Sequence, residues 1–350
     1  MKHHKYPSIG QFRNVIRGVV DSAQMVLDES SGEYVRDVSK PIPTLKFTGT
    51  VKAHGTNAGI CVSASGEQYA MSRNNVITPE NDNAGFAQFA ECRDTKLFIK
   101  LAQETIRRKL PDLGDQDLCF YGEWCGGSIQ KGVALNQLEN KIWIIFGVKV
   151  ISKKGEDNWW LDFNNLPLLT VDGARVYDAR AFGGCEVSID FNSPELSSNL
   201  LQELTLEVEK ECPIGRYFGV SGVGEGIVYS HRYSDGSVIQ FKVKGEKHSV
   251  SKVKTLVPVD VEKVKSINAF VEYAVTEARL SQAANETLMV AGELDFNRKN
   301  LGTFIKWVSS DIVKEELDVL SENGLEMKDV GSPLSKAARN WFFNKEALAA

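Results

Sequence analysis

The chain contains no apolar run approaching the roughly 20 residues that cross a bilayer. Its start, Met1-Lys2-His3-His4-Lys5, lacks the apolar core of a signal peptide. Residence in a cytoplasm, with no membrane partner, is the expectation. Among the six cysteines (Cys61, Cys92, Cys119, Cys125, Cys185, Cys212) no Cys-x-x-Cys pair occurs and no paired histidines stand nearby. That argues against a structural zinc site, and a chain of 350 residues without a secretion signal has little use for a disulfide framework. Reduced, mostly buried thiols are expected, with Cys125 set apart because it falls inside a glycine-rich tract considered below. An excess of positive charge is missing as well. A formal charge of -5 excludes a uniformly basic coat, although a basic face can still exist locally. Internal repeats and low-complexity segments are absent.

What is present reads as two domains with different textures. From Leu45 to Ser72 the pattern is strand-like, with turns at Gly55 and at Ser65-Gly66. Ile9 to Leu27 has helical spacing. Ala84 to Lys109 does too, with Phe86, Phe89, Ala90, Leu97 and Leu101 as its apolar positions and Pro111 and Gly114 after its end. Leu118–Trp124 and Lys141–Ile151 are short apolar runs expected as buried strands, and Gly155–Asn165 is expected as a strand with its turns. Glu195–Glu211 predicts a helix. Ile227–Tyr229 and Val238–Lys244 predict strands about a turn at Asp235-Gly236. After about Val257 only helices are expected: Val261–Ser281, Asn300–Ser309, Asp311–Glu322 and Leu334–Phe343. The fold class is therefore α+β, with a mixed domain over 1–255 followed by a small all-helical domain over 256–350.

Four tracts carry chemistry. Lys52-Ala53-His54-Gly55-Thr56-Asn57 places a lysine at a strand end, before a glycine that lets backbone approach a phosphate closely. Phe120-Tyr121-Gly122-Glu123-Trp124-Cys125-Gly126-Gly127 ends an apolar strand in a carboxylate and a glycine pair. Gly222-Val223-Gly224-Glu225-Gly226 opens a strand with a glycine-flanked carboxylate. In Gln240-Phe241-Lys242-Val243-Lys244-Gly245 the period of two puts Lys242 and Lys244 on one face. The segment Lys242 to Lys254 is also the most basic in the chain, with Lys242, Lys244, Lys247, Lys252 and Lys254 against the single acid Glu246. Taken singly, each tract has an ordinary explanation as a solvated strand end or a turn. Together they supply what nucleotidyl transfer to an enzyme amine requires. A free lysine titrates near ~10.4 and attacks only when uncharged, and cations such as Lys242 and Lys244 lower that value while neutralising a triphosphate. Magnesium keeps several waters, so one or two carboxylates such as Glu225 and Glu123 suffice to hold it.

The four tracts resemble the nucleotidyltransferase motifs of covalent ligases and capping enzymes. Lys-x-His-Gly-Thr-Asn at 52–57 resembles, more narrowly, the RNA ligase 2 family of phage double-stranded RNA ligases and mitochondrial RNA-editing ligases; DNA ligases and capping enzymes typically carry Asp where this chain has His54. Gly126-Gly127-Ser128-Ile129-Gln130-Lys131 resembles the segment after that family's third motif, and the tail from Lys299-Asn300-Leu301-Gly302 resembles its C-terminal domain. The resemblance implies an adenylation domain of antiparallel sheets with flanking helices, ATP-grasp-like in kind, and a helical domain that engages nicked RNA. It implies ATP as the nucleotide, Mg2+ or Mn2+ as the metal, and a monomer acting on nicked double-stranded RNA or an RNA/DNA hybrid, in the host cytoplasm if phage-encoded.

By the same resemblance Lys52 attacks the α-phosphate of ATP to give lysyl-AMP. The AMP passes to an RNA 5'-phosphate, and a 3'-hydroxyl seals the break. His54 assists near the departing pyrophosphate, and Asn57 and Arg73 contact nucleotide, phosphate or RNA termini. Glu123 holds the ribose, Phe146 stacks on adenine, Glu225 serves the metal, and Lys242 and Lys244 take the α-phosphate. One departure is visible: the family has Asp after the stacking phenylalanine and this chain has Gly147, with Asp162 as a substitute acid, a dispensable carboxylate or a slipped alignment as the alternatives. A DNA ligase or GTP-using capping enzyme is the competing enzyme reading, but both append an all-β OB-fold where helices are expected here. An end-binding protein that has lost catalysis is the reading from another class. A chain ending near Lys254 is expected to form lysyl-AMP and to join ends poorly.

Overall fold

Alternation of apolar and polar residues between Leu45 and Ser72 becomes three successive strands in a computed structural model of the chain. The structure describes residues 1–29, 32–127, 129–130, 132–153, 158–245, 247–248, 267–290 and 293–349. In chain order the strands are β1 (Gly10–Gln11), β2 (Met25–Leu27), β3 (Tyr34–Arg36), β4 (Thr44–Val51), β5 (Thr56–Val62), β6 (Gln68–Ser72), β7 (Val76–Ile77), β8 (Asp117–Cys125), β9 (Ile142–Ile151), β10 (Trp159–Trp160), β11 (Val176–Asp178), β12 (Gly184–Asp190), β13 (Gly226–Arg232), β14 (Val238–Lys244), β15 (Met289–Val290) and β16 (Glu293–Leu294). The helices are α1 (Phe12–Gln24), α2 (Phe86–Glu91), α3 (Arg93–Lys109), α4 (Glu195–Lys210), α5 (Pro213–Tyr217), α6 (Ile267–Ala274), α7 (Glu277–Thr287), α8 (Leu301–Glu322) and α9 (Met327–Ala349). The class is α+β, with a helical C-terminal region.

Contacts divide the chain into two units. The first comprises Met1–Ile9, Leu45–Ile189 and Glu207–Phe241. In it β10-β9-β8-β5-β6-β7 lie side by side, with β11 parallel to β9. β8 and β9 are buried along nearly their whole length, as expected of central strands covered on both faces. Phe86, Phe89, Phe98, Ile99, Ala102 and Ile106 of α2 and α3 join the side chains of this sheet in one core. β14, β13, β4 and β12 are neighbours in a second sheet, with β13 antiparallel to β4. The second unit comprises Gly10–Thr44, Asp190–Leu206 and Lys242–Ala350. Its core is built on Phe270, Leu280, Phe304, Val308, Ile312, Val319, Leu334 and Phe342.

Several expectations need correction. The stretch 84–109 is two helices, because Cys92 leaves helical geometry at φ -60° and ψ 144°. The break shifts the phase, so Leu97 and Leu101 are exposed and α3 buries Phe98, Ile99, Ala102 and Ile106 instead. α1 is shorter than Ile9–Leu27, since 25–27 form β2, which pairs with β3. Around Gly155–Asn165 the described residues form only the short β10 and a 3-10 turn at Phe163–Asn165; Gly155 itself lies outside the described residues. The two helices expected across Asn300–Glu322 are one, α8, and the helical region also holds the small hairpin β15–β16. Ser128, Lys131, Glu246, Lys252, Lys254, Val257 and Val261 lie outside the described residues. Finally, Cys61 and Cys119 are direct cross-strand partners on β5 and β8 and are joined as a disulfide. Strand pairing brings their Cα atoms within 4.0 Å across a sequence separation of 58, which spacing alone does not reveal. The other four thiols are free.

Candidate active site

Lys52 follows β4 directly, and its backbone N–H donates to Gly226 O at 2.8 Å, which continues the β4–β13 pairing by one residue. That bond fixes the lysine beside Glu225, the residue before β13. Lys52 Nζ lies 2.6 Å from Glu225 Oε2, and His54 Nδ1 lies 2.8 Å from the same oxygen. Glu225 is 2% exposed and Lys52 is 21% exposed, so the pair is shielded yet reachable. A buried carboxylate stays ionised only when it is paired, and here one oxygen serves two partners.

Glu123 completes the group from the neighbouring sheet. Its Oε1 accepts the Gly55 N–H at 3.1 Å. Burial pushes the Glu123 carboxyl up to about 7, with Lys52 and His54 pulling it down and the charge of Glu225 pushing it further up. Two carboxylates that repel each other next to a lysine leave room in the electrostatics for a cation. Gly55 acts differently from the sequence expectation. A Cβ there would run into the Trp124 carbonyl and Cys125, so the glycine is required by close packing against β8. Asn57 stands opposite Glu123 in the β5–β8 pairing.

Phe146 lies on the same sheet under different constraints. Tyr121 pairs with Gly147 and Gly122 pairs with Ile145, so Phe146 is the extra residue of a β-bulge. Its ring meets Tyr6 edge-on at 5.0 Å, and Tyr6 also touches Tyr121 and Trp160. Gly147 is explained by the same cluster: a Cβ there would come within 3.3 Å of the Trp160 ring. An aspartate at 147 therefore has no room unless Trp160 moves. Asp162, the candidate substitute, accepts from Asn165 Nδ2 at 2.7 Å within its own turn.

Tyr6 was not anticipated. Burial raises its hydroxyl to about 12, and it donates to Gln240 at 3.0 Å, with the charge of Glu123 acting on it. A lone aromatic in a polar leader, Lys2-His3-His4-Lys5-Tyr6, was the only signal available. Arg73 is exposed in the turn after β6. Lys242 and Lys244 occupy the half-buried face of β14, with Phe241 and Val243 buried on the other, as the period of two predicts. Both fall in the second unit, where Lys242 Nζ contacts Glu315 Oε1 at 2.8 Å. Lys52, His54, Glu123, Glu225 and Asn57 are thus brought together in the first unit, with Phe146 in the adjoining aromatic cluster. Among the described residues no group of three His, Cys, Asp or Glu side chains is placed to hold a metal ion. No described helix is long and apolar enough to cross a membrane.

A family model described as RNA ligase matches residues 45–253, more than half of the chain. No curated protein matches the chain. Among solved structures, Naegleria gruberi RNA ligase with PPi is 14% identical at a TM-score of 0.37, covering 69% of this chain and 56% of that one. A mutant of the same ligase with ATP and Mn is 15% identical at 0.40, over 70% and 56%. A further mutant with AMP and Mn gives 14% and 0.37, over 69% and 56%. The chain thus spans little more than half the length of the solved structures it matches.

Proposed function

The chain belongs to the RNA ligase family, and from that premise we propose that it is an ATP-dependent RNA ligase that seals 3'-hydroxyl/5'-phosphate nicks in duplex RNA. The observation that carries the reading is Lys52 held 2.6 Å from a buried glutamate that also engages His54. A nucleophilic amine needs a proton acceptor within hydrogen-bond reach, and Glu225 is in place to be one.

In the first step Lys52 Nζ attacks the α-phosphorus of ATP. Lys52 first loses its ammonium proton to Glu225, on whose same carboxylate oxygen His54 sits; the P–N bond then forms, the bond to the bridging β-phosphate oxygen breaks, and pyrophosphate leaves with the second N–H proton. In the second step a 5'-phosphate oxygen of RNA attacks the AMP phosphorus, breaking the P–N bond and returning a proton to the amine. In the third a 3'-hydroxyl attacks the activated 5'-phosphate and AMP departs. Glu123 and Asn57 would hold the nucleotide, Phe146 would stack on adenine, and Arg73, Lys242 and Lys244 would grip phosphate.

The oxygen donors Glu123 and Glu225 suit a hard divalent cation such as Mg2+ or Mn2+. Two carboxylates would hold it, with water and the nucleotide completing its shell. When bound, the ion would neutralise charge developing on the phosphates. After β14 the only described strands are β15 and β16, of two residues each, which favours the RNA reading over an enzyme that appends a β-barrel. The helices of 256–350 would engage the nicked duplex, and 1–255 would carry the chemistry.

Incubation with α-labelled ATP and magnesium should leave label covalently on the protein, and Lys52→Ala should abolish it. Label from GTP but not ATP would move the enzyme to the capping class. With ATP present, a nicked all-RNA duplex should be joined in preference to the matched all-DNA duplex; the reverse preference would defeat the RNA assignment.

A further inference from the structure

Glu315, on α8, lies outside the four tracts that carry the chemistry. Its Oε1 contacts Lys242 Nζ at 2.8 Å and Lys314 Nζ at 3.3 Å, and its Oε2 accepts from Gln11 Nε2 at 3.1 Å. The side chains of Lys242 and Glu315 are only 14% and 8% exposed. Gln11 is 5% exposed, and its Oε1 is buried with no hydrogen-bond partner. The charges acting on Lys242 oppose one another: Lys244 on its own strand and Lys314 on α8 repel the ammonium, and Glu315 attracts it. Burial, with those two cations, brings the Lys242 amine down to about 8 even with Glu315 in contact. Burial pushes the Glu315 carboxyl up, but Lys242 and Lys314 hold it well below the usual carboxylate range.

We infer that Glu315 is the positioning residue for Lys242, keeping its amine charged and aimed, and is therefore needed for lysyl-AMP formation. The inference rests on the reading that Lys242 grips the α-phosphate. A phosphate clamp must be an ammonium, whereas burial among like charges favours the neutral amine. One buried carboxylate reverses that preference, and removing it leaves the cation uncompensated. On this inference the helical region, expected to serve only nick engagement, also supports the first chemical step. The Gln11 amide holds the carboxylate from its other side, so the anion reaches Lys242 in one orientation.

The test is the pH profile of covalent labelling by α-labelled ATP in the full chain, with Glu315→Gln compared against the unaltered protein. The amide keeps the shape and removes the charge. Each unit by which the Lys242 amine is lowered costs about tenfold in ammonium above its titration point. Near pH 6.5 the variant should label within about threefold of the unaltered chain, and by pH 8.5 it should lag by about tenfold or more. A general loss of fold would give a deficit that does not grow with pH. Glu315→Asp, which keeps the charge but withdraws it by one methylene, should recover most of the alkaline activity. Should the glutamine variant fail to fold, the aspartate carries the test by itself: a small alkaline deficit supports the inference, and a superimposable profile overturns it. A glutamine variant that tracks the unaltered chain at every pH overturns it as well. If the unaltered chain takes no label from any nucleotide, the underlying ligase reading fails and the inference goes with it.

Discussion

The helical core contains an ionic network whose members are not equivalent, and the order of their contributions can be worked out. Glu316 is fully buried and accepts from Arg13 Nη2 at 2.8 Å, Tyr273 Oη at 2.8 Å and Arg279 Nη2 at 3.0 Å. Arg279, also fully buried, contacts Asp311 Oδ2 at 2.9 Å and the Ala274 carbonyl. Arg13 contacts Asp318 Oδ2 at 3.1 Å and the Glu315 carbonyl at 2.7 Å. Glu316→Gln leaves two guanidinium groups and two carboxylates, Arg13 with Asp318 and Arg279 with Asp311. Arg279→Met leaves Arg13 facing Glu316 and Asp318, strands Asp311 without an arginine, and orphans a carbonyl.

Breaking a buried pair costs about 3–5 kcal/mol when a charge is left uncompensated. Arg279→Met belongs at the upper end of that range. Glu316→Gln, which keeps an acceptor oxygen and a balanced charge, belongs near about 2 kcal/mol. Urea is the denaturant to use, since a guanidinium salt would screen the charges in question. Emission from Trp307 and Trp341, both packed against the helical core, reports the local transition; Trp341 stacks on Phe304 at 5.6 Å. A Glu316→Gln variant that loses as much stability as Arg279→Met would refute the charge-balance reasoning.

Phe146→Ala should raise the ATP concentration needed for half-maximal labelling about fivefold or more, since a base–aromatic stack contributes about 1–3 kcal/mol; an unchanged ATP dependence would leave Phe146 a plain member of the aromatic cluster. Gly147→Asp, which restores the family's residue, should destabilise the chain by about 1–3 kcal/mol because its Cβ meets the Trp160 ring. Pairing it with Trp160→Ala should recover part of that loss in a thermal melt, and no recovery would mean that the ring is not the obstacle.

The residues of the site that were legible in the sequence are those whose signal is local. Lys52 directly follows β4, Glu225 directly precedes β13 and Glu123 stands two residues from the end of β8, each within three residues of a glycine, and such positions are readable from alternation within a few residues. The period of two along β14 likewise gave the shared face of Lys242 and Lys244. Pairing between distant segments was not readable. Glu315 lies 73 residues from Lys242, Tyr6 lies 234 from Gln240, and nothing in the text of the chain joins them. The bulge at Phe146 was hidden because an extra residue in a strand leaves the apolar run unbroken. The face of α3 was misread for a local reason: one non-helical residue, Cys92, resets the phase, so positions counted from Phe86 point outward by Leu97.

Asp311, Glu315, Asp318 and Glu322 recur along α8 at spacings of four, three and four, which puts them on one face of the helix. An acidic stripe is ordinarily solvated, yet each of these carboxylates meets a cation: Arg279 of α7, Lys242 of β14, Arg13 of α1 and Arg17 of α1. Two of those cations come from the first two dozen residues, and Phe12 beside them is fully buried. A cut near residue 255 would therefore remove the partners of Arg13 and Arg17 along with the helices. Loss of joining after such a cut could then follow from damage around α1 as readily as from loss of a duplex-binding surface. Single substitutions at Glu315 and at its neighbour Glu316, which lies off the stripe, distinguish loss of the Lys242 contact from loss of core stability, because Glu315 meets Lys242 whereas Glu316 pairs with the buried Arg13 and Arg279. The adjacent pair divides chemistry from stability within one helical turn.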